Sequence, residues 1–141
     1  MPRLSVSASR SGCPISIALE LLGDPWSLLI VRDLMFKGLN TFGHFANAGE
    51  RIATNILSDR LARLEHGGIV SKRLDKADRR RYVYRLTHKG IALAPTLVEL
   101  VVWSAAYGET DAPPATIKRM RNDREGFLKE VRAHWKTRAR R

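Results

Sequence analysis

The side chains in this sequence best suited to chemistry make hydrogen bonds and ion pairs rather than break covalent bonds. Thr54, Asn55, Ser58 and Asp59 recur at helical spacing, with Ala62 one turn further on. Amides and hydroxyls on a helix can bond the edges of bases, and small side chains let the helix sit deep in a groove. A helix kept polar only for solubility more often carries Glu and Lys on such a face. Arg60 and Arg63 flank it and suit phosphate oxygens. The plainer reading of Arg60 is a salt bridge to a neighbouring acid, and that of Asn55 and Ser58 is simple solvent exposure. Arg79, Arg80 and Arg81 stand together in a polar segment, Asp75 to Arg81. Such a run suits phosphate or a narrow minor groove; alone it would be read as a solvated turn. Asp78 is placed to brace these arginines outward.

Bond-making chemistry finds less support. No Gly-rich phosphate loop, nucleophile elbow or paired-carboxylate pattern occurs, so an enzyme is the least favoured class and no cofactor is implied. His44, His66, His88 and His134 are scattered without metal-ligand spacing, so no metal site is expected. Cys13 is the single cysteine, which excludes an intramolecular disulfide framework and a Cys-rich zinc site. It precedes Pro14 at the start of a predicted helix, where the dipole favours a thiolate, and Arg10 adds positive charge. A reactive thiol and a buried, inert one are both open readings.

The elements that position these residues follow from periodicity and punctuation. Pro14 suits a first helical position, and Ile15, Ala18, Leu19 and Leu22 predict a buried helical face, ended by Gly23. Asp24 and Pro25 open a second helix, Trp26 to Phe36, apolar almost all round and therefore central. Thr41 caps a short helix, Phe42 to Asn47; Ala48-Gly49-Glu50 is the turn. Ile52 to His66 is amphipathic, with Ala53, Ile56, Leu57, Leu61 and Leu64 inward, and Gly67-Gly68 stops it as a left-handed cap would. Ile69–Leu74 and Tyr82–Leu86 alternate as strands do, joined by the arginine-rich tip. Thr87 caps a helix from His88 to Tyr107, interrupted near Pro95. After Ala112-Pro113-Pro114, a last helix spans Thr116 to Lys136. The order predicts a mainly α fold with a small β-hairpin wing, a winged helix-turn-helix. One helix would enter the major groove of duplex DNA while the basic hairpin meets phosphates or the minor groove.

Composition sets the frame. The chain has 141 residues and a net charge of +11, with 28% charged and 44% hydrophobic residues. That is one globular domain's worth of core, with an excess that favours polyanions through counterion release. No secretory signal is apparent in MPRLSVSASRSG, and no stretch reads as long and apolar enough to span a bilayer; a cytoplasmic protein without a membrane partner is expected. The expected organisation is a flexible arm (1–12), a DNA-binding domain with dimerisation helices (13–107) and a basic helical extension (108–141). The helix containing Trp103 and the last helix carry more apolar surface than a small core absorbs. With the N-terminal helix they predict a homodimer interface, and two-fold pairing would roughly square the selectivity of one half-site. Trp26, Phe36, Phe42 and Trp103 could line a seat for a small-molecule effector between dimer halves, or be ordinary core aromatics.

Several segments, in order, resemble one family. CPISIALELLGDPWSLLIVRDLM resembles the opening of HxlR-type regulators, where a Cys-Pro precedes a helix and a Gly-x-x-Trp element starts the next; Gly23, Pro25 and Trp26 match that element. ILSDRLARLEHGGIV resembles the family's recognition helix and its exit into the wing, and LTHKG the start of the following helix. The wing, DKADRRRYVYRLT, looks more like that of the related MarR regulators. The resemblance covers about Cys13 to Tyr107. It implies a homodimeric transcriptional regulator, often a repressor of a neighbouring operon, and places Cys13 where some members sense oxidants or electrophiles. Two other functions remain open: a sequence-indifferent DNA-coating protein, favoured by the basic tail, and a winged-helix protein-interaction module.

Overall fold

The computed structural model describes residues 10–139; residues 1–9 of the expected arm lie outside them. The described chain divides into two compact units, one ending at Gly90 and the other beginning at Ile91.

The first unit opens with α1 (Pro14–Leu22), which Pro14 starts and the Gly23 N–H closes on the Leu19 carbonyl at 2.7 Å. Its expected buried face is corrected. Ile15 is 71% exposed and Leu19 55%, and Ala18 is exposed too, while Leu22 is half-buried as expected and Ile17 and Leu21 join it there. The helix is apolar on nearly every side, so periodicity could not choose the inward face. α2 (Ser27–Met35) is central: Ile30, Val31, Leu34 and Met35 are buried, and it packs on α1, α4 and the hairpin. Its one buried acid, Asp33, is held by Arg32 at 2.8 Å, and Arg32 reaches Glu50 at 2.9 Å. α3 (Phe42–Ala46) is capped by Thr41, whose Oγ1 accepts from the His44 N–H at 3.2 Å.

After the turn comes α4 (Thr54–His66), which buries Leu57, Leu61 and Leu64. Ala53, expected on that face, is its exposed N-cap residue. At the other end Gly68 adopts φ +76°, the left-handed geometry that lets the chain reverse into a strand without a Cβ penalty. The hairpin pairs β1 (Val70–Leu74) with β2 (Tyr82–Leu86), antiparallel, from Val70 opposite Leu86 to Leu74 opposite Tyr82. Ile69, Val70 and Leu86 bury its base.

The segment Thr87-His88-Lys89-Gly90 clamps the junction of α4 and β1. Thr87 Oγ1 donates to the Gly68 carbonyl (2.5 Å) and accepts from the Gly90 N–H (3.1 Å). Lys89 Nζ donates to the Gly67 carbonyl at 2.7 Å, satisfying an end of α4. Gly90 is required by close approach, since a Cβ there would stand 2.2 Å from the Ile69 oxygen.

α5 (His88–Ile91) leads to the second unit, where α6 (Ala94–Tyr107) packs with α7 (Pro114–Asn122) and α8 (Arg124–Ala139). The interruption expected near Pro95 falls at Ala92-Leu93. The single last helix expected from Thr116 to Lys136 is corrected: it is two. The chain breaks at Asp123, whose carboxylate accepts from the Gly126 N–H (3.3 Å) and so caps α8, while its own N–H closes α7 on Arg119. Asparagine and aspartate side chains compete with the helical backbone in this way, and apolar spacing does not register it. Ile117, Met120, Leu128 and Val131 are buried, which leaves little apolar surplus on these two helices.

The expectation about bilayer length is also corrected. The helical run His88–Tyr107 is long and apolar enough to cross a membrane by length and composition, with a hydropathy of 1.5, and 28% of that stretch is buried. α1 and α2 together would also qualify but for an 80° bend between them.

Candidate nucleic-acid interface

Local capping chemistry sets the first helix of the interface. The Asp24 carboxylate accepts from the N–H groups of Trp26 (2.8 Å) and Ser27 (2.9 Å) and from the Ser27 hydroxyl (2.5 Å). Burial opposes ionisation of Asp24, but the Ser27 hydroxyl, these two amides and Arg60 outweigh it and lower its pKa to about 2. The α2 start so fixed is where α4 is anchored, because Arg60 Nε stands 3.1 Å from Asp24 Oδ1.

With Leu57, Leu61 and Leu64 turned inward, α4 turns Thr54, Asn55, Ser58, Asp59 and Ala62 outward, all of them exposed. Four of the five residues are short or amide-bearing, and the fifth, Asp59, is ion-paired to Arg60. The two flanking arginines have protein partners. Arg60 is half-buried between Asp24 and Asp59. Arg63, although exposed, donates from Nη2 to the Glu20 carbonyl at 2.8 Å and so ties α4 to the end of α1. The pair with the adjacent Asp59 is the salt bridge to a neighbouring acid that the sequence offered for Arg60, whereas Asp24 and Glu20 are distant in sequence, so spacing alone does not show them.

The hairpin is held to the helices from two sides. Tyr84 N–H donates to the Asn40 carbonyl (2.8 Å), and the Tyr84 ring meets Phe45 of α3 edge-on at 6.0 Å. At the tip, Arg81 Nε reaches Asp75 at 2.7 Å and Arg80 Nε reaches Asp78 at 2.9 Å. The Ala77 N–H and Arg81 hold Asp75 below the ordinary carboxylate range; Arg80, by side chain and then by N–H, does the same for Asp78. These contacts shape the tip while leaving Arg80 90% exposed. Among the described residues Arg79 has no acidic partner, and the same holds for Arg73 and Lys76, which the sequence reading did not single out. Every residue of β1 after Val70 is exposed, Arg73 among them. Arg51 was also missed: it is exposed in the turn before α4 with φ +57°, a left-handed geometry uncommon for any residue that carries a Cβ.

Cys13 is exposed and is the N-cap residue of α1, with its own N–H donating to Ser11 Oγ at 3.2 Å. Among the described residues no group of three or more His, Cys, Asp or Glu is arranged to hold a metal ion.

Residues 21–112 match the HxlR-like helix-turn-helix family, a match that ends ahead of α7. An HTH-type transcriptional regulator of Mycobacterium tuberculosis, itself uncharacterised, is 36% identical over 109 residues, 76% of this chain and 67% of that protein. The reduced form of the transcriptional regulator YodB from Bacillus subtilis is similar with a TM-score of 0.57 and 30% identity, covering 69% of this chain and 95% of that one. YodB has also been solved quinone-bound and diamide-treated. PA1607, described as a transcription factor, is similar with a TM-score of 0.66 and 38% identity, covering 74% of this chain and 71% of that one. With an outward-facing polar helix, a basic hairpin clamped beside it and this match across most of both, the chain belongs to the HxlR-like helix-turn-helix family and is a transcriptional regulator of the helix-turn-helix type.

Proposed function

We propose that the protein binds a two-fold operator as a homodimer in the cytoplasm and represses transcription there. The observation that carries this reading is the outward face of α4, where Thr54, Asn55, Ser58 and Ala62 are exposed together while Leu57, Leu61 and Leu64 are buried on the other side. Thr54, Asn55, Ser58 and Asp59 read base edges. Arg79, Arg80, Arg81, Arg73 and Lys76 supply phosphate or minor-groove contacts, with Arg51 at the turn. Arg60 and Arg63 are assigned first to positioning α4, on the strength of the ion pair of Arg60 with Asp24 and the hydrogen bond of Arg63 to the Glu20 carbonyl; phosphate contact by either is secondary. Repression follows from occupancy, since a dimer seated on a promoter excludes polymerase.

Dimerisation is supported by apolar surface left open in each unit. α6 exposes Leu100, Trp103 and Tyr107 at i, i+3 and i+7, with Trp103 63% and Tyr107 82% accessible, and α1 exposes Ile15 and Leu19. A second copy would cover such stripes. It would also account for the apolar length of His88–Tyr107 without a bilayer.

Cys13 is proposed as the responsive thiol. Its exposure supports this, as does the likeness to YodB, which has been captured with quinone and after diamide treatment. With a single cysteine per chain, an oxidant such as diamide joins Cys13 to the partner's Cys13 or to a small free thiol, the two thiols together giving it two electrons and two protons, whereas an electrophile such as a quinone adds to the thiolate to form an S–C bond with no oxidant consumed. For a neutral effector, the open cleft of about 370 Å³ lined by Ile17, Leu21, Ala62 and His66 is the apolar seat within the first unit.

Binding of the purified protein to its own upstream DNA and to random DNA, at about 150 mM salt with and without diamide, tests the reading. Selective binding that diamide abolishes, and that persists in diamide when Cys13→Ser is introduced, is expected. Equal affinity for both DNAs would instead favour the coating function, to which the basic extension lends weight.

A further inference from the structure

The charge of this protein is concentrated outside the helix-turn-helix. From Pro113 onward the chain carries ten Lys and Arg against three Asp and Glu, seven of the eleven net positive charges. The family match stops at residue 112, and the similarity to YodB takes in nearly all of YodB but only 69% of this chain.

We propose that the α7–α8 extension is a second DNA-binding surface, which grips backbone phosphates independently of sequence while α4 reads the bases. The proposal rests on the DNA-binding reading above and adds a contact to it. Two of the extension's arginines are spent within the protein: Arg119 on Glu130 (2.6 Å) and Asp123 (3.7 Å), and Arg124 on Glu99. Lys129, Arg132 and Lys136 are exposed on α8 with no acidic partner among the described residues. Their spacing of three and then four residues puts them on one face, a stripe about 10 Å long. That matches roughly three successive phosphates of one strand. On α7, Lys118 and Arg121 are likewise exposed without an acidic partner, and with Asn122 and Thr110 they line an open cleft of about 520 Å³.

The apolar side of α8 is already used, because Leu128 and Val131 are buried where α8 packs with α6 and α7. An interfacial membrane helix would need that side free, so charge is what the extension offers, and it offers it to a polyanion. DNA held by α4 is such a polyanion at high effective concentration for a surface on the same chain.

The test uses the full chain and a Lys129→Gln, Arg132→Gln, Lys136→Gln variant, all three sites exposed, with circular dichroism and melting as the fold check. Affinities for the upstream duplex and for random duplex are measured from about 50 to 200 mM salt. Each lost phosphate contact should flatten the log–log salt slope by about 0.9. The expected result is a slope shallower by about 2–3 per protomer, with the ratio of upstream to random affinity unchanged. A charge-reversed Lys129→Glu, Arg132→Glu, Lys136→Glu variant should weaken binding further. A parental slope in both variants would overturn the proposal while leaving the role of α4 intact. Loss of binding to phosphatidylserine vesicles with the DNA slope unchanged would overturn it too, reassigning the extension to a membrane surface. If the parent protein binds neither duplex, the DNA reading of α4 fails, and this proposal with it.

Discussion

Asp24 does two jobs with one carboxylate: it caps α2 and it receives Arg60 from α4. Replacing it with Ala should cost about 1–2 kcal/mol of unfolding free energy. Its pKa near 2 in the folded state lies below the unfolded value near 3.8, so its contribution is complete above about pH 4 and is lost as pH falls through 2. Urea titrations of parent and Asp24→Ala protein should therefore differ at pH 6 and draw together as pH falls towards 2; a constant difference across that range would refute the assignment. Arg51 offers the opposite case. Gly should relieve its left-handed φ, raising stability by about 0.5–1 kcal/mol, while the same change weakens binding to all duplexes by removing a cation. Stability and affinity moving in the same direction would contradict that. Local roles of this kind were readable from spacing: Asp24, Thr41 and Pro14 all act at helix starts as their types dictate. The pairing of Arg60 with its neighbour Asp59 was within reach of spacing, but its bridge to Asp24 and the bond of Arg63 to Glu20 were not, because those partners lie more than thirty residues away in the chain and only folding brings them close.

Among the elements, the hairpin and α4 were the most legible. β2 runs from Tyr82 to Leu86, as its alternation predicts, and the apolar side of α4 is Leu57, Leu61 and Leu64. The break between α7 and α8 was missed because Asp123 interrupts the helix by hydrogen bonding, not by a change in apolar pattern. The inward side of α1 was misread because its hydrophobicity is nearly uniform around the helix. The junction at Thr87 to Gly90 invites a sharper test. Gly90→Ala places a methyl carbon against the Ile69 oxygen, and should destabilise the protein by about 2 kcal/mol or more. Thr87→Val removes a hydroxyl bonded on both sides and should cost about 1–2 kcal/mol. Chemical denaturation reads both, and a neutral Gly90→Ala would mean that β1 moves freely against the following segment.

At the scale of the whole molecule, fold and family were more legible than assembly. Fold and family follow from ordered local signals, whereas the apolar stripes on α1 and α6 say only that something covers them. If a second copy does, Trp103→Glu should shift the sedimentation coefficient to that of a monomer and weaken upstream binding by at least tenfold, leaving the helical content of each chain unchanged. A dimer that persists in this variant would move the interface elsewhere.

The clamp from Thr87 to Gly90, with Tyr84 held by Asn40 and Phe45, fixes α4 and the basic hairpin like the two jaws of a caliper. Such a tool measures distance as well as content. If α4 reads bases and the hairpin meets phosphates as proposed, one base pair inserted between the two sets would rotate one roughly 35° away from the other, and jaws so fixed would not follow by flexing. Its preferred site should therefore be defined as strictly by its length as by its letters.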